Sequence, residues 1–169
     1  MSVSVLVLYD RKGPAIENLA AAIASGVDAI SDAHAELKLL DSATTDDLLN
    51  ADALILGSPN WSGITGSMKS WLDEQGDLWE EGSLAGKPGA TFTTGWGRHS
   101  GLEFTLLQQI HWMLACGMII VGLPWSSRMR VSGSYYGATA VGEVSEADLA
   151  QAAILGSRVA TIALRLKSS

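Results

Sequence analysis

The chain has 169 residues, 47% of them hydrophobic and 17% charged, which excludes intrinsic disorder and predicts a single domain over residues 1–169. Its 18 acidic and 11 basic side chains give a net charge of −7, which argues against a nucleic-acid partner. The one cysteine excludes a disulfide framework, and without a signal peptide or an apolar run of about 18 residues we expect a cytoplasmic protein with no membrane association.

Short apolar segments alternate with segments of helical periodicity along the chain. Strands are predicted at 3–9, 35–40, 51–57, 90–94 and 117–122. Helices are predicted at 14–26, 44–50, 65–75, 102–116 and 145–166. We interpret Gly26 as the C-terminal cap of the first helix, and Ser145 with Asp148 as a capping box that begins the last one. The alternation predicts an α/β fold with a doubly wound parallel sheet.

Three loops at the carboxyl ends of predicted strands carry unusual chemistry: 10–15, 58–63 and 93–101. Ligands of such sheets bind outside the carboxyl ends of the strands, so the functional site is expected there. In the first loop, Arg11 and Lys12 precede a helix N-terminus, which favours a phosphate group. The alternative interpretation is a pair of solvated turn residues.

The other two loops could hold an aromatic ring. Trp61 lies among small residues and offers a flat face for stacking, although a tryptophan at a sheet edge is also typical of simple packing. The segment 93–101 is rich in hydroxyls and glycines, and its backbone N–H groups could bind the polar edge of a heterocycle. A flexible turn is the alternative for this segment.

Taken together, these segments resemble the flavodoxin-like superfamily, and most closely its WrbA-type NAD(P)H:quinone oxidoreductases, which bind FMN. The motifs that carry the resemblance are Gly57-Ser58-Pro59 with Gly63, the run from Met68 to Asp73, the run from Gly82 to Lys87, Gly101 with Glu103, and Tyr136-Gly137-Ala138. The resemblance implies a five-stranded sheet in the order 2-1-3-4-5, with FMN at its carboxyl edge.

The resemblance also implies which residues form the site. Cofactor contacts are expected at Arg11, Lys12, Gly13, Ala15, Ile16, Ser58, Pro59, Asn60, Trp61, Ser62, Gly63, Thr93, Thr94, Gly95, Trp96, Gly97 and His99. His99 is in addition the candidate catalytic residue, near a pocket for a quinone-type acceptor that Trp96 would line. NAD(P)H is the expected electron donor, and no metal is expected.

The chain departs from this family's pattern in three places. The phosphate loop contains none of the usual hydroxyl side chains, and Pro14 removes one backbone donor. Ala115 and Cys116 stand where the family has a histidine pair. The chain is also shorter than typical members, mainly in segments that family tetramers use, so both a homodimer and a homotetramer are considered.

Three functions remain open from the sequence. The first is an FMN-dependent oxidoreductase that passes a hydride from NAD(P)H to the flavin and then electrons to a quinone-type acceptor. The second is a flavodoxin-like electron carrier, whose acidic charge would suit basic redox partners. The third is an interaction module that keeps the fold without flavin, which the altered phosphate loop favours.

Overall fold

The computed structural model describes residues 2–11 and 13–168, and its centre is a parallel sheet. The strands are β1 (Val3–Tyr9), β2 (Ala33–Leu39), β3 (Ala53–Gly57), β4 (Pro88–Gly95), β5 (Ile119–Ile120) and β6 (Ala138–Val141). The first five follow the order β2-β1-β3-β4-β5, which confirms the predicted topology.

Two short strands share the fifth position of the sheet. β5 pairs with Pro88 and Gly89 at the start of β4, whereas β6 pairs with residues 92–95 at its end. The prediction of one strand over 117–122 therefore needs correction, because the chain leaves the sheet after Ile120 and returns to it at Ala138. As a result, β6 carries residues 142–144 to the carboxyl edge.

Helices cover both faces of the sheet. They are α1 (Pro14–Asp28), α2 (Thr45–Asn50), α3 (Gly66–Glu74), α4 (Gly76–Glu80), α5 (Leu102–Ala115) and α6 (Glu146–Lys167). α1 and α6 pack on one face, and buried side chains of α2 to α5 pack on the other. β1 is buried on both faces, since Val5 and Val7 face the first layer and Leu6 and Leu8 face the second. This explains its unbroken apolar sequence.

The sequence predicted that Gly26 caps the C-terminus of α1. This prediction is wrong, because α1 continues to Asp28. The hydrogen of Gly26 faces the backbone of α6, and a Cβ atom there would lie 2.0 Å from the carbonyl oxygen of Ala153. Gly156 of α6 makes the reciprocal approach, with a Cβ 2.1 Å from the carbonyl oxygen of Ile23. The two glycines let the helices pack with their backbones in near contact.

α6 begins at the predicted capping box. The Ser145 hydroxyl accepts a hydrogen bond from the Asp148 N–H at 3.3 Å, and the Asp148 carboxylate accepts one from the Ser145 N–H at 2.9 Å. Among the described helices, α6 alone is long and apolar enough to cross a membrane by length and composition. Its apolar side, which includes Leu155 and Val159, packs into the core instead.

Cys116 follows α5 and is buried among apolar side chains, and this burial raises the pKa of its thiol to about 11. About one thiol in a thousand is then ionised at pH 8, and the thiolate is the reactive form. We expect iodoacetamide at pH 8 to leave the native protein unmodified for an hour, and to alkylate it fully in guanidinium chloride. Intact mass measures both, with Cys116→Ser as the unlabelled control. Rapid labelling of the native protein would contradict the burial.

Candidate functional site

A cleft of about 480 Å³ lies at the carboxyl edge of the sheet and is called here the edge cleft. It brings together the start of α1, the loops after β3 and β4, and the segment after β6. Its lining residues are Gly13, Pro14, Ala15, Asn18, Asn60, Thr94, Gly95, Trp96, Gly142, Glu143 and Val144. Its volume falls within the range of small-molecule sites.

Asn60 ties the loops of the edge cleft together. Its Nδ2 donates to the Ser100 carbonyl oxygen at 2.7 Å and to the Ser100 hydroxyl at 3.2 Å, which fixes the loop after β4. Its Oδ1 accepts from the Gly63 N–H at 3.1 Å and from the Thr105 hydroxyl at 3.0 Å. Because one side chain satisfies partners in two loops and in α5, it holds the mouth of the cleft in one geometry.

Asp10 follows β1 directly and is only 5% exposed. Its backbone N–H donates to the Gly57 carbonyl oxygen at 3.0 Å. Its carboxylate accepts hydrogen bonds of 2.5 Å from the hydroxyls of Thr65 and Ser67, at the start of α3. The carboxylate therefore connects the end of β1 with the helix that follows the β3 loop, and it places a negative charge beneath the carboxyl edge.

The start of α1 has the features of an anion-binding helix end. Gly13 is its N-cap residue with φ of 112°, a conformation that favours glycine, and no described side chain caps the helix. The N–H groups of the first turn are thus left for a ligand. Arg11 does not line the cleft, and its guanidinium lies 3.8 Å from the Glu17 carboxylate. Lys12, the other predicted phosphate contact, lies outside the described residues.

Two tryptophans stand exposed at this edge. Trp96 lines the edge cleft and is 93% exposed, and Trp61, in the neighbouring loop, is 68% exposed. The Trp61 N–H donates to the Gly63 carbonyl oxygen at 2.8 Å, which closes a tight turn around Ser62. Exposed indoles beside a cleft offer flat apolar faces for an aromatic ligand.

Four of the predicted contacts lie beneath the surface. Ile16 belongs to the hydrophobic core, and Pro59 is buried. The Ser58 carbonyl oxygen accepts from the Thr93 hydroxyl at 2.7 Å, and the Ser58 hydroxyl is bonded to the β3 loop itself. None of these four side chains is accessible to a ligand, since Ile16 packs in the core and the other three lie buried where β3 and β4 meet their loops.

The remaining predicted residues fall in three places. Gly13, Ala15, Asn60, Thr94, Gly95 and Trp96 line the edge cleft. Ser62, Gly63 and Gly97 form the turns beside it without lining it. His99 lies instead in a second cavity of about 620 Å³, together with Arg98, Glu103 and Asp148. Glu143 lines both cavities and so stands between them.

Sequence reasoning did not assign five lining residues of the edge cleft to the site. Pro14 and Asn18 belong to the first turns of α1. For Asn18, the available signal in the sequence was a polar side chain one turn into the predicted helix. Residues 142–144 follow β6, a four-residue strand too short to be recognised by its pattern. Glu143 is the charged side chain among the described residues that line the cleft.

The residues present fit a flavin mononucleotide. The edge cleft offers exposed indole surface and glycine backbone to a planar ring, and the free N–H groups at the start of α1 to a phosphate. What is missing is any hydroxyl side chain in the segment 10–17. The site thus suits the ring better than the phosphate.

The family and two curated relatives that this chain matches all have names that describe NAD(P)H-dependent reductases or dehydrogenases. Residues 15–129 match the family described as NADPH-dependent FMN reductase. The chain is 45% identical over 132 residues to an NAD(P)H dehydrogenase (quinone) of Archaeoglobus fulgidus, covering 78% of this chain and 69% of that protein. It is 35% identical, over an alignment of 200 positions including gaps, to the protein of the same name from Geobacter sulfurreducens, covering 96% of this chain and 98% of that protein.

Solved structures share the fold. A WrbA-like flavodoxin from Agrobacterium tumefaciens superimposes with a TM-score of 0.79 at 24% identity, covering 97% of this chain and 99% of the other. A flavodoxin from the domain Archaea gives a TM-score of 0.75 at 18% identity, covering 95% and 99%. At these identities the likeness concerns the arrangement of the sheet and helices alone.

Proposed function

The chain belongs to the NADPH-dependent FMN reductase family, and on the geometry of its edge cleft we propose that it is an FMN-dependent oxidoreductase that transfers electrons from NAD(P)H to a quinone-type acceptor. The names of the relatives from Archaeoglobus fulgidus and Geobacter sulfurreducens support the donor and the acceptor class. The observation that carries the proposal is the cleft itself, which joins a free helix N-terminus to an indole-flanked opening at the carboxyl edge of the sheet.

FMN, when bound, supplies the hydride acceptance and electron transfer that side chains cannot perform. The residues of this chain bind and orient it. Asn60 fixes the two loops at the mouth of the edge cleft, Trp96 forms an apolar wall, and the first turn of α1 offers N–H groups to the phosphate. None of these roles requires a side chain that gains or loses a proton.

His99 remains the candidate catalytic residue, expected to lie next to the acceptor. It lies in the second cavity, which shares the wall residue Glu143 with the edge cleft. An acceptor in that cavity would therefore sit beside the flavin, and the guanidinium of Arg98 in the same lining would favour electron density that develops on quinone oxygens.

The proposal is tested with the purified 169-residue chain. FMN fluorescence is titrated with protein, and the oxidation of NADPH and NADH at 340 nm is then followed with FMN and a benzoquinone present. Binding in the micromolar range, with acceptor-dependent oxidation above a protein-free control, is the expected result. FMN binding without NAD(P)H oxidation would favour an electron carrier. Absence of FMN binding would favour a flavin-free module and overturn the proposal.

A further inference from the structure

We propose that this site holds its flavin through the ring and sugar chain with little selection for the terminal phosphate, so that riboflavin binds nearly as well as FMN. Asp10 is the residue that sets this low selectivity. The inference rests on the proposed function, since it concerns the same edge cleft, and it names the wider class of flavins that the cleft accepts.

The first observation is the donor set around the phosphate position. Between residues 10 and 17 no side chain carries a hydroxyl or an amide, and Pro14 has no N–H at the start of α1. Apart from the neutral amide of Asn18, which also lines the edge cleft, a phosphate there would be held by the remaining backbone N–H groups. These groups contribute a partial positive charge of about half a unit, against about one and a half to two negative charges on a phosphate monoester at pH 7.

The second observation is the local balance of formal charges. The segment 10–17 contains two acidic and two basic residues, Asp10 and Glu17 against Arg11 and Lys12, so its net charge is zero. The guanidinium of Arg11 is already within 3.8 Å of the Glu17 carboxylate. Glu143 adds a further negative charge to the lining of the cleft. No cationic excess remains in this segment to favour a dianion over a neutral hydroxyl.

The third observation is the fixed position of the Asp10 carboxylate. Its two hydrogen bonds, from Thr65 and Ser67, stabilise it as a buried acceptor and hold it in place. Asp10 is three residues from Gly13, which lines the cleft, so their Cα atoms are at most about 11 Å apart. At that separation, in a partly buried setting, a like charge disfavours a dianion and does not affect a neutral ligand.

The test measures binding and not turnover. FMN and riboflavin are titrated separately into the purified 169-residue chain at pH 7.5 in 50 mM salt, with flavin fluorescence as the readout. Dissociation constants within tenfold of each other are the expected result. FMN binding more than tenfold tighter overturns the inference and leaves the proposed function intact. Absence of binding by either flavin overturns both.

The role of Asp10 is tested by Asp10→Asn, which removes the charge and keeps an oxygen that accepts from both hydroxyls. We expect it to tighten FMN binding at least threefold and to change riboflavin binding less than twofold. Glu36→Gln, an exposed position in the middle of the edge strand β2, removes the same charge outside the edge cleft and is expected to change neither constant.

Equal effects of Asp10→Asn on both flavins would overturn the charge argument and reduce Asp10 to a structural residue. If Asp10→Asn does not fold, the salt dependence of FMN binding by the unmodified protein tests the inference instead. FMN affinity that changes less than twofold between 50 and 300 mM salt supports the inference. A loss of tenfold or more indicates a cationic phosphate site and overturns it.

Discussion

Gly26→Ala is expected to lower the free energy of unfolding by about 3 kcal/mol, the upper part of the usual range for an overpacked core. The added methyl carbon would lie 2.0 Å from the carbonyl oxygen of Ala153 and 2.7 Å from its Cα atom. Both are backbone atoms of α6, so no side-chain rotation relieves the clash. The two helices must separate, and the core between them must loosen with them.

The matched control is Gly66→Ala. Gly66 begins α3, and a Cβ there would meet nothing within 4 Å. This substitution is expected to be neutral or to stabilise slightly, because alanine restricts the unfolded chain more than glycine does. Thermal unfolding followed by circular dichroism compares the two. A fall of roughly 6–12 °C is expected for Gly26→Ala and none for Gly66→Ala. Equal melting temperatures would contradict the close helix packing.

Gly26 also shows what the sequence can and cannot reveal about this fold. Five of the strands and most helix limits follow from apolar runs and capping residues, which act locally, whereas the strand order was implied by the resemblance to the flavodoxin-like superfamily. A glycine near the end of a helical pattern has two meanings, a cap or a close approach, and the difference lies in a helix about 130 residues further along the chain. Such long-range packing leaves no local signal.

The site was predictable to the level of its loops. All three loops, and the position of the cleft at the carboxyl edge, follow from the alternation of strands and helices. The sequence does not reveal which residues face the cleft, because Ser58 and Thr93 use their polar groups to bond the loops internally. The segment that contributes Glu143 was missed because β6 forms only by pairing with β4. The second cavity, with His99, likewise depends on β6.

Asn60→Ala is expected to have the largest effect on function, with FMN binding weakened at least tenfold and kcat/KM for quinone reduction lowered ten- to a hundredfold. The substitution removes four hydrogen bonds, of which three join the loop after β3 to the loop after β4 and to α5 and one lies within the loop after β3. The Gly63 N–H and the Ser100 carbonyl oxygen then lose their common partner. Small displacements of the groups that position reactants cost rate steeply.

Two further variants make the Asn60 result interpretable. Asn50→Ala replaces an exposed asparagine at the end of α2 and is expected to leave FMN binding and turnover unchanged. Thr105→Val removes one of the four bonds and is expected to have an intermediate effect, so the three variants form a graded series. Fluorescence titration gives the dissociation constants, and thermal melts show whether each variant is folded. Because Asn60 lines the cleft and orders its mouth, a folded Asn60→Ala protein that binds FMN as tightly as the parent would place the flavin elsewhere on the molecule.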